Sequence, residues 1–252
     1  MKLSNKQIKE IRALHQKKYR RKEGRFIVEG LKMLDDIAGS AMEIEQMVLT
    51  PSHQNLQDVY TTPSVAITDE TTFSKISTQK TASGVLAVVK QPDHPFDPSQ
   101  FGPLTLLLDG INDPGNLGTI IRTADWFGVR DVICSPDTVD LYNPKTIQST
   151  MGSIARVRVH YLDAAETLAA LHDQFTIMGL FMQGEPLEMQ RSIKKRIVIT
   201  GNEANGISKS LVSFIHKQVK IPHATDHKKD RPESLNASIA TAIACYELTK
   251  GD

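Results

Sequence analysis

The spacing of apolar residues over about the first ninety positions switches between helical and strand periods, which is typical of a small α/β unit. Polar residues, glycine and proline separate the apolar stretches. In chain order the predicted elements are a helix capped by Ser4 with Ile8, Ile11 and Leu14 inside, a strand "RFIVEG", a helix with Leu31, Leu34 and Ile37 inside, strands "IEQMVLT" and "SVAIT", a helix "DETTFSKIS" and a strand "GVLAVVK".

A proline-rich stretch separates this unit from the rest of the chain. Residues 91–103, "QPDHPFDPSQFGP", hold four prolines and a glycine among mostly polar residues, as linkers do. We therefore predict a first domain over residues 1–92, a linker over 93–103 and a second domain over 104–252.

Strands and helices alternate in the second domain, which predicts a parallel sheet covered by helices on both faces. The stretch "LTLLLDG" is apolar at nearly every position, so we expect it at the centre of the sheet. The other predicted strands are "DVICS", "ARVRVHYL", "FTIMGLFM", "RIVIT" and "KQVKIP", and the predicted helices lie near residues 115–127, 143–151, 163–172, 207–214 and 234–249.

Charge is unevenly distributed, although the net charge of the 252 residues is only +1. The first 25 residues hold ten Lys or Arg and two Glu, a local charge of +8, which leaves −7 for the remaining 227 residues. A basic arm on an acidic body favours a polyanion as partner, although a solvated helix face has the same composition. The candidate contacts to nucleic acid are Lys17, Lys18, Arg20, Arg21, Lys22 and Arg25.

Two cysteines, Cys134 and Cys245, lie far apart and offer no metal-ligand spacing. We interpret both as small buried residues of a protein from a reducing cytoplasm. The first residues lack an apolar signal core, and no apolar run approaches the length of a membrane span.

A glycine turn follows the central predicted strand and leads into a helix. The spacing of Gly110, Gly115 and Gly118 matches neither a dinucleotide fingerprint nor a phosphate-binding loop, which needs a lysine where Asn116 stands. We expect free N–H groups at the helix start, and we expect Arg122, one turn after Gly118, to bend back toward them. Its planar guanidinium suits a phosphodiester, while the alternative is an ordinary helix cap with a surface ion pair.

Three segments together resemble the SpoU branch of the SPOUT methyltransferases, which methylate ribose 2′-hydroxyls in ribosomal or transfer RNA. Motif one is "DPGNLGTIIRTADWFGV" (residues 113–129), motif two is "VITGNEANGIS" (residues 198–208), and motif three is "IP" at residues 221–222 with "SLNASIATAIACYE" at residues 234–247. The segment "NPKTIQSTMGSIARV" also looks like the family's intervening region. The stretch "KYRRKEGRFIVEG" is similar to the ribosomal-protein-like RNA-binding domain that often precedes this catalytic domain.

The resemblance implies properties that periodicity does not give. It implies a trefoil knot at the end of the second domain, although threaded chains are rare in general, and a homodimer. It also implies that S-adenosylmethionine is the cofactor, held by main-chain groups at Gly201, Ile221 and Leu235. The side chains at these three positions are small or apolar, which suits main-chain recognition of an adenine. We expect no metal, because the two cysteines offer no metal-ligand spacing.

The resemblance assigns the catalytic work to Asn116, Arg122, Glu203, Ser234 and Asn236. Relatives are often described with the arginine as base, but a guanidinium keeps its proton far above neutral pH. We expect Arg122 to bind the phosphate of the target nucleotide and to stabilise a developing alkoxide. Asn116 would orient the ribose or Arg122, and Glu203 would hold Arg122 or join the proton path. Ser234 and Asn236 would close the pocket, and either residue alone reads equally well as a helix cap.

The third motif departs from the usual compact form, because a long polar stretch, "HATDHKKDRPE", separates its two parts and the usual glycine is missing. His223 and His227 are four residues apart, as a helical zinc pair would be, but we interpret the stretch as a solvated or RNA-facing loop. Trp126 is expected in core or dimer packing, with RNA stacking as the alternative.

Ribosomal RNA is the expected substrate, because a basic arm and an accessory domain suit a large structured target. A transfer RNA methyltransferase and a non-catalytic RNA-binding protein with the same fold are the alternatives. A Rossmann-type methyltransferase is disfavoured, because its glycine-rich turn and acidic ribose contact are missing.

Overall fold

The computed structural model of the chain describes residues 3–223 and 234–250. Its α-helices are α1 (Asn5–Ala13), α2 (Lys17–Glu23), α3 (Leu31–Ala38), α4 (Glu70–Ile76), α5 (Pro114–Trp126), α6 (Pro144–Thr150), α7 (Ala164–Leu171), α8 (Lys209–Val212) and α9 (Ala237–Thr249). Its strands are β1 (Arg25–Glu29), β2 (Ile44–Leu49), β3 (Val65–Ile67), β4 (Val85–Lys90), β5 (Leu104–Leu108), β6 (Asp131–Cys134), β7 (Arg158–Tyr161), β8 (Thr176–Pro186), β9 (Arg196–Thr200) and β10 (Lys217–Lys220).

The chain forms two compact units. The first consists of Met1–Asp93 and Asp140–Ala155, and the second consists of His94–Val139 and Arg156–Asp252. No helix in the described ranges is long and apolar enough to cross a membrane.

The first unit is built on a four-stranded mixed sheet of order β1-β4-β2-β3, in which β4 is antiparallel to both of its neighbours. Helices α1 and α4 pack on one face through Ile11, Leu14 and Phe73, which meet Ile27 and Val48 of the strands. The predicted cap of α1 is confirmed: the Ser4 hydroxyl accepts the N–H of Gln7, and the Gln7 side chain accepts the N–H of Ser4.

The segment Asp140–Ala155 belongs to the first unit, whereas the sequence placed it in the second domain. The buried Arg20 guanidinium donates to the Asp140 carboxylate at 2.5 Å, and the ring of Tyr142 lies 4.8 Å from that of Phe26. These side chains are far apart in sequence, so no local pattern indicates the contact.

The predicted linker also differs from the structure, because its residues from His94 onward pack in the second unit. Phe101 is only 7% exposed, and its ring lies 5.4 Å from Phe96 and 6.1 Å from Phe175. Asp97 caps a short turn over Pro98–Gln100. Aromatic packing therefore fixes a stretch whose prolines had indicated a linker.

The second unit contains a six-stranded sheet of order β10-β8-β9-β5-β6-β7, and all of its pairings are parallel. The predicted parallel sheet is therefore confirmed, and the apolar strand β5 lies inside it, with all five of its residues buried. Both cysteines are buried and unpaired, as predicted, and burial raises the pKa of the Cys245 thiol to about 12.

Candidate active site

The turns that follow β5 and β9 emerge side by side, because these strands are parallel neighbours. Ligands of open parallel sheets bind at this carboxyl edge. The Asp109 N–H donates to the Thr200 carbonyl at 2.9 Å. The buried Asp109 carboxylate in turn accepts the backbone N–H of Ser208 at 2.6 Å and its hydroxyl at 3.1 Å. The turn after β5, which leads into motif one, is thereby joined to motif two at both ends of the motif-two loop.

The motif-two loop is a tight turn closed by its own backbone. Asn202 and Gly206 exchange both N–H···O bonds, and the Asn202 side chain donates to the Gly110 carbonyl at 2.7 Å. A Cβ on Gly201 would lie 2.3 Å from the Gly206 carbonyl carbon and 2.4 Å from the Ile207 nitrogen. Only glycine therefore allows the chain to fold back this closely.

A line of hydrogen bonds connects the three motifs. Asn236 Nδ2 donates to Asn116 Oδ1 at 3.0 Å, and Asn116 Nδ2 donates to Glu203 Oε1 at 2.7 Å. We call these three residues the amide relay. Asn236 is also the N-cap of α9, because its Oδ1 accepts the Ser238 N–H at 2.9 Å. The start of α9 therefore fixes Asn116, and Asn116 fixes one oxygen of Glu203.

A cavity of about 590 Å³ opens beside the relay, between motif two and motif three. Gly201, Ile221 and Leu235, the predicted cofactor residues, all line it. Glu203 and Ser234 line it as well, so the structure brings five of the eight predicted catalytic and cofactor residues to one cavity.

Arg122 does not line this cavity, and neither do Asn116 and Asn236. Arg122 is exposed on α5 and makes no hydrogen bond or ion pair with the part of the chain that the structure describes. The expected contact between Glu203 and Arg122 is absent among these residues, since the relay holds Glu203 by Asn116. Arg122 is therefore available to a ligand.

The start of α5 differs from the prediction in two respects. The helix begins at Pro114, so Arg122 lies about two turns from the N–H groups at its start, toward which it was expected to bend back. Asp113 caps it by accepting the N–H of Asn116 at 2.8 Å, and one of the N–H groups expected to be free is therefore satisfied.

The prediction that Arg20 contacts nucleic acid is wrong. Its side chain is 3% exposed, and it donates to Asp140 and to the Leu14 carbonyl. A guanidinium held this way cannot reach a phosphate on the surface. The five remaining candidates are exposed; Lys22 pairs with Glu23, Arg25 pairs with Glu45, and no ion pair within the described ranges involves Lys17, Lys18 or Arg21.

Trp126 is 84% exposed, so packing in the core of its own chain is ruled out. Dimer packing and RNA stacking remain as roles for this side chain. Ile239 and Tyr246 on α9 are exposed as well; α5 and α9 pack against each other, and the ring centroids of Phe127 and Tyr246 lie 6.3 Å apart.

Sequence reasoning missed three residues of the site: Asp109, Asp113 and Asn202. All are polar residues in turns that directly follow or contact a buried strand, which is the signal that marks them. Within the described ranges no three His, Cys, Asp or Glu side chains form a group that could hold a metal. His227 and most of the polar stretch lie outside the described residues, so the role of that loop stays a prediction.

The similarity of the chain to known proteins covers both units. Residues 103–246 match the profile of the SpoU rRNA Methylase family, and residues 5–87 match that of the MRM3-like substrate binding domain. The chain is 29% identical over 248 residues to the 23S rRNA (guanosine(2553)-2'-O)-methyltransferase RlmP of Bacillus subtilis, which covers 97% of this chain and 96% of the relative.

Two solved structures resemble the whole chain. A TrmH-family protein from Porphyromonas gingivalis is 36% identical with a TM-score of 0.88, and the match covers 98% of each chain. An AdoMet-bound rRNA methyltransferase from Sinorhizobium meliloti is 28% identical with a TM-score of 0.85, and the match covers 98% of this chain and 95% of the other.

Proposed function

The chain belongs to the SpoU rRNA methylase family, and on this premise we propose that it transfers a methyl group from S-adenosylmethionine to a ribose 2′-hydroxyl of ribosomal RNA. The observation that carries the proposal is the amide relay, which joins turns from three distant parts of the chain beside one cavity. A protein that only bound RNA would have no need to fix a carboxylate at the mouth of such a cavity.

The cavity fits the proposed cofactor. Its lining is small or apolar at Gly201, Ile221 and Leu235, and among its described residues only Glu203 and His223 carry ionisable side chains. A volume of about 590 Å³ lies within the usual range for sites of small ligands. Main-chain N–H and C=O groups of motifs two and three would therefore hold the adenine and the amino-acid end. When bound, S-adenosylmethionine supplies an electrophilic methyl group on a sulfonium.

The residues of this chain have to hold the RNA and manage one proton. Arg122 is exposed and unpaired in the described part of the chain, and it would bind the phosphate beside the target ribose through two parallel bonds. Because it keeps its charge, it would also stabilise the oxyanion that forms as the 2′-hydroxyl loses its proton. Ser234 lies at the cavity and would contact the substrate from motif three.

Glu203 is the best-placed group to take the proton of the 2′-hydroxyl. Asn116 occupies its Oε1, which orients the carboxylate and leaves the other oxygen for the RNA. Asn236 does not need to touch the substrate, so we assign it as a positioning residue that holds Asn116.

Ribosomal RNA is supported by the relatives and by the first unit. The relative from Bacillus subtilis and the one from Sinorhizobium meliloti are both described as rRNA methyltransferases. The match to a substrate binding domain covers α1 and α2, which carry the exposed cations. These cations would contact phosphates of the RNA.

A trefoil knot, a homodimer and a cytoplasmic location are part of the proposal. The homodimer is supported by three exposed apolar side chains on the packed helices α5 and α9, namely Trp126, Ile239 and Tyr246, since clusters of exposed apolar side chains usually mark an interface. The knot is supported by the closeness of motifs two and three around one cavity. Two buried cysteines without a disulfide suit a reducing compartment.

The function is tested with the purified full chain and S-adenosylmethionine labelled in its methyl group. The substrates are ribosomal RNA and transfer RNA from cells that lack the gene, and the products are digested to nucleosides. We expect the label in a single 2′-O-methylnucleoside of ribosomal RNA and none when the RNA comes from cells that carry the gene. Label in transfer RNA alone would change the substrate, and label on a base would refute the reaction.

A further inference from the structure

The first unit contains a second cavity, of about 330 Å³, between α1, α2 and the mixed sheet. Its floor is apolar, since the buried side chains of Ile11, Leu14 and Val88 line it. The half-buried Tyr19 ring forms part of its wall. It belongs to the first unit alone, so it is separate from the cavity beside the amide relay.

Gln46 lines this cavity, and its side chain carries a buried donor that lacks an acceptor. The residue lies two positions before Val48 on β2 and therefore shares the face of the sheet that packs on α1. Its Nε2 is buried and has no hydrogen-bond partner in the described ranges. An unsatisfied buried donor costs about 1–3 kcal/mol, so such a group needs an explanation, and a bound ligand is one. The terminal torsion of the side chain is soft, which lets the amide turn into the cavity.

The rim of the cavity is charged, with one more cation than carboxylates. Lys9, Lys22 and Arg25 line it against Glu10 and Glu23, a local charge of +1. No ion pair in the described part of the chain involves Lys9, so its ammonium group is available to an anion.

Cations continue away from the rim along the same two helices. Arg12, Lys17, Lys18 and Arg21 are exposed and have no ion pair among the described residues. A flexible polyanion that enters the cavity would therefore find further charge for its flanking phosphates. This extended charge favours a polymer over a free small molecule.

We propose that this cavity receives one unstacked nucleotide of a single-stranded segment of the RNA. The base stacks on Tyr19 above the apolar floor, and an acceptor on its edge takes the amide N–H of Gln46. Lys9 and Lys22 contact the phosphates on either side. The inference rests on the proposed function only in taking this RNA to be the substrate for methyl transfer.

The test is the affinity of the full chain for a short fluorescein-labelled single-stranded oligoribonucleotide, followed by fluorescence anisotropy. Gln46→Leu and Tyr19→Leu are each expected to weaken binding by about 5- to 100-fold, the factor that corresponds to loss of one stacked or hydrogen-bonded base. The matched control is Lys32→Ala. Lys32 is an exposed lysine on α3, a helix that packs on β1 and β4 and contributes no residue to the cavity, and its loss is expected to change the affinity less than about twofold.

Two measurements separate a lost contact from a lost fold or a lost charge. Gln46→Leu removes an unsatisfied amide, so its Tm is expected to equal or exceed that of the wild type. Lys9→Ala is expected to reduce the slope of log Kd against log salt by about 1, whereas the two neutral substitutions leave that slope unchanged.

Wild-type affinity in both Gln46→Leu and Tyr19→Leu would overturn the inference. Displacement of the RNA by an oligoglutamate peptide as efficiently as by unlabelled RNA would also overturn it, because the cavity would then belong to a protein partner. Failure of the proposed function has a different signature: no RNA accepts the methyl group, although the same substitutions still weaken oligonucleotide binding.

Discussion

Asn236 has two separable tasks, and substitution of this residue tests the amide relay. Its Oδ1 caps α9, and its Nδ2 holds Asn116. Asn236→Ala removes both. Loss of the cap costs about 1 kcal/mol, and loss of the bond to Asn116 costs about 1 kcal/mol more. For a chain of this size the sum lowers Tm by about 4–8 °C.

Asn236→Asp keeps the cap and breaks the relay. A carboxylate still accepts the N–H groups at the start of α9, where negative charge is favourable, so Tm is expected to stay within about 2 °C of the wild type. The carboxylate cannot donate to Asn116, which must then turn its amide away from Glu203 to satisfy it. A hydrogen bond to a charged group contributes about 1.5–3 kcal/mol, so kcat is expected to fall by about 10- to 150-fold.

The assay measures single-turnover methyl transfer and thermal unfolding on the same preparations. The matched control is Asp163→Ala, which removes the N-cap of α7, a bond of 2.9 Å to the Glu166 N–H, in the same unit and away from the relay. Asp163→Ala is expected to lower Tm by the amount that corresponds to the loss of one helix cap, and to leave kcat unchanged. A wild-type kcat in Asn236→Asp would refute the relay. A fall in kcat of Asp163→Ala that parallels its fall in Tm would also refute it.

Three further predictions concern stability and assembly. Glu29 is 4% exposed, and its carboxylate accepts hydrogen bonds from Ser77 Oγ, Thr78 N and Thr78 Oγ1. In urea unfolding, Glu29→Ala is therefore expected to lower the free energy of unfolding of the first unit by roughly 3 kcal/mol. A loss under about 0.5 kcal/mol would contradict this prediction. Trp126→Glu is expected to convert the proposed dimer into a monomer in sedimentation at micromolar protein, whereas an unchanged sedimentation coefficient would contradict the proposed interface. Burial, and to a smaller extent the nearby His172, lower the pKa of His216 below its ordinary value of 6.5. The stability that neutral His216 contributes is therefore fully present above pH 6.5 and is lost as the pH falls through the lowered pKa of the folded state. His216→Asn is expected to flatten this decline of Tm, and an equally steep decline in the variant would exclude His216 as its cause.

The order and type of most elements follow from local pattern, but α2 was missed because its sequence "KKYRRKE" has no apolar periodicity. The parallel sheet also follows from local pattern. Its central strand β5 is apolar at nearly every position because both of its faces are covered, and this is visible in five consecutive residues. The position of the site follows as well, since glycine turns after parallel strands meet at one edge. Residue type alone made both Ser234 and Asn236 possible helix caps, and in the structure Asn236 caps α9.

The remainder depends on contacts between distant residues. Nothing in "KKYRRKE" distinguishes the buried Arg20 from its exposed neighbours, because the distinguishing partner is Asp140, 120 positions later. The same holds for Trp126, whose type suggests burial although its helix position leaves it on the surface. Periodicity identifies which face of an element is buried, but not which distant side chain satisfies a buried charge.

Arg122 gives the most direct test of the central claim that the meeting of three motifs forms a methyl-transfer site. Arg122→Ala is expected to bind S-adenosylmethionine in calorimetry with a Kd within about twofold of the wild type, while methyl transfer falls by about 100-fold or more. Arg130→Ala, which removes an exposed arginine just beyond α5, is expected to retain full turnover. Turnover of Arg122→Ala within about threefold of the wild type would contradict the account.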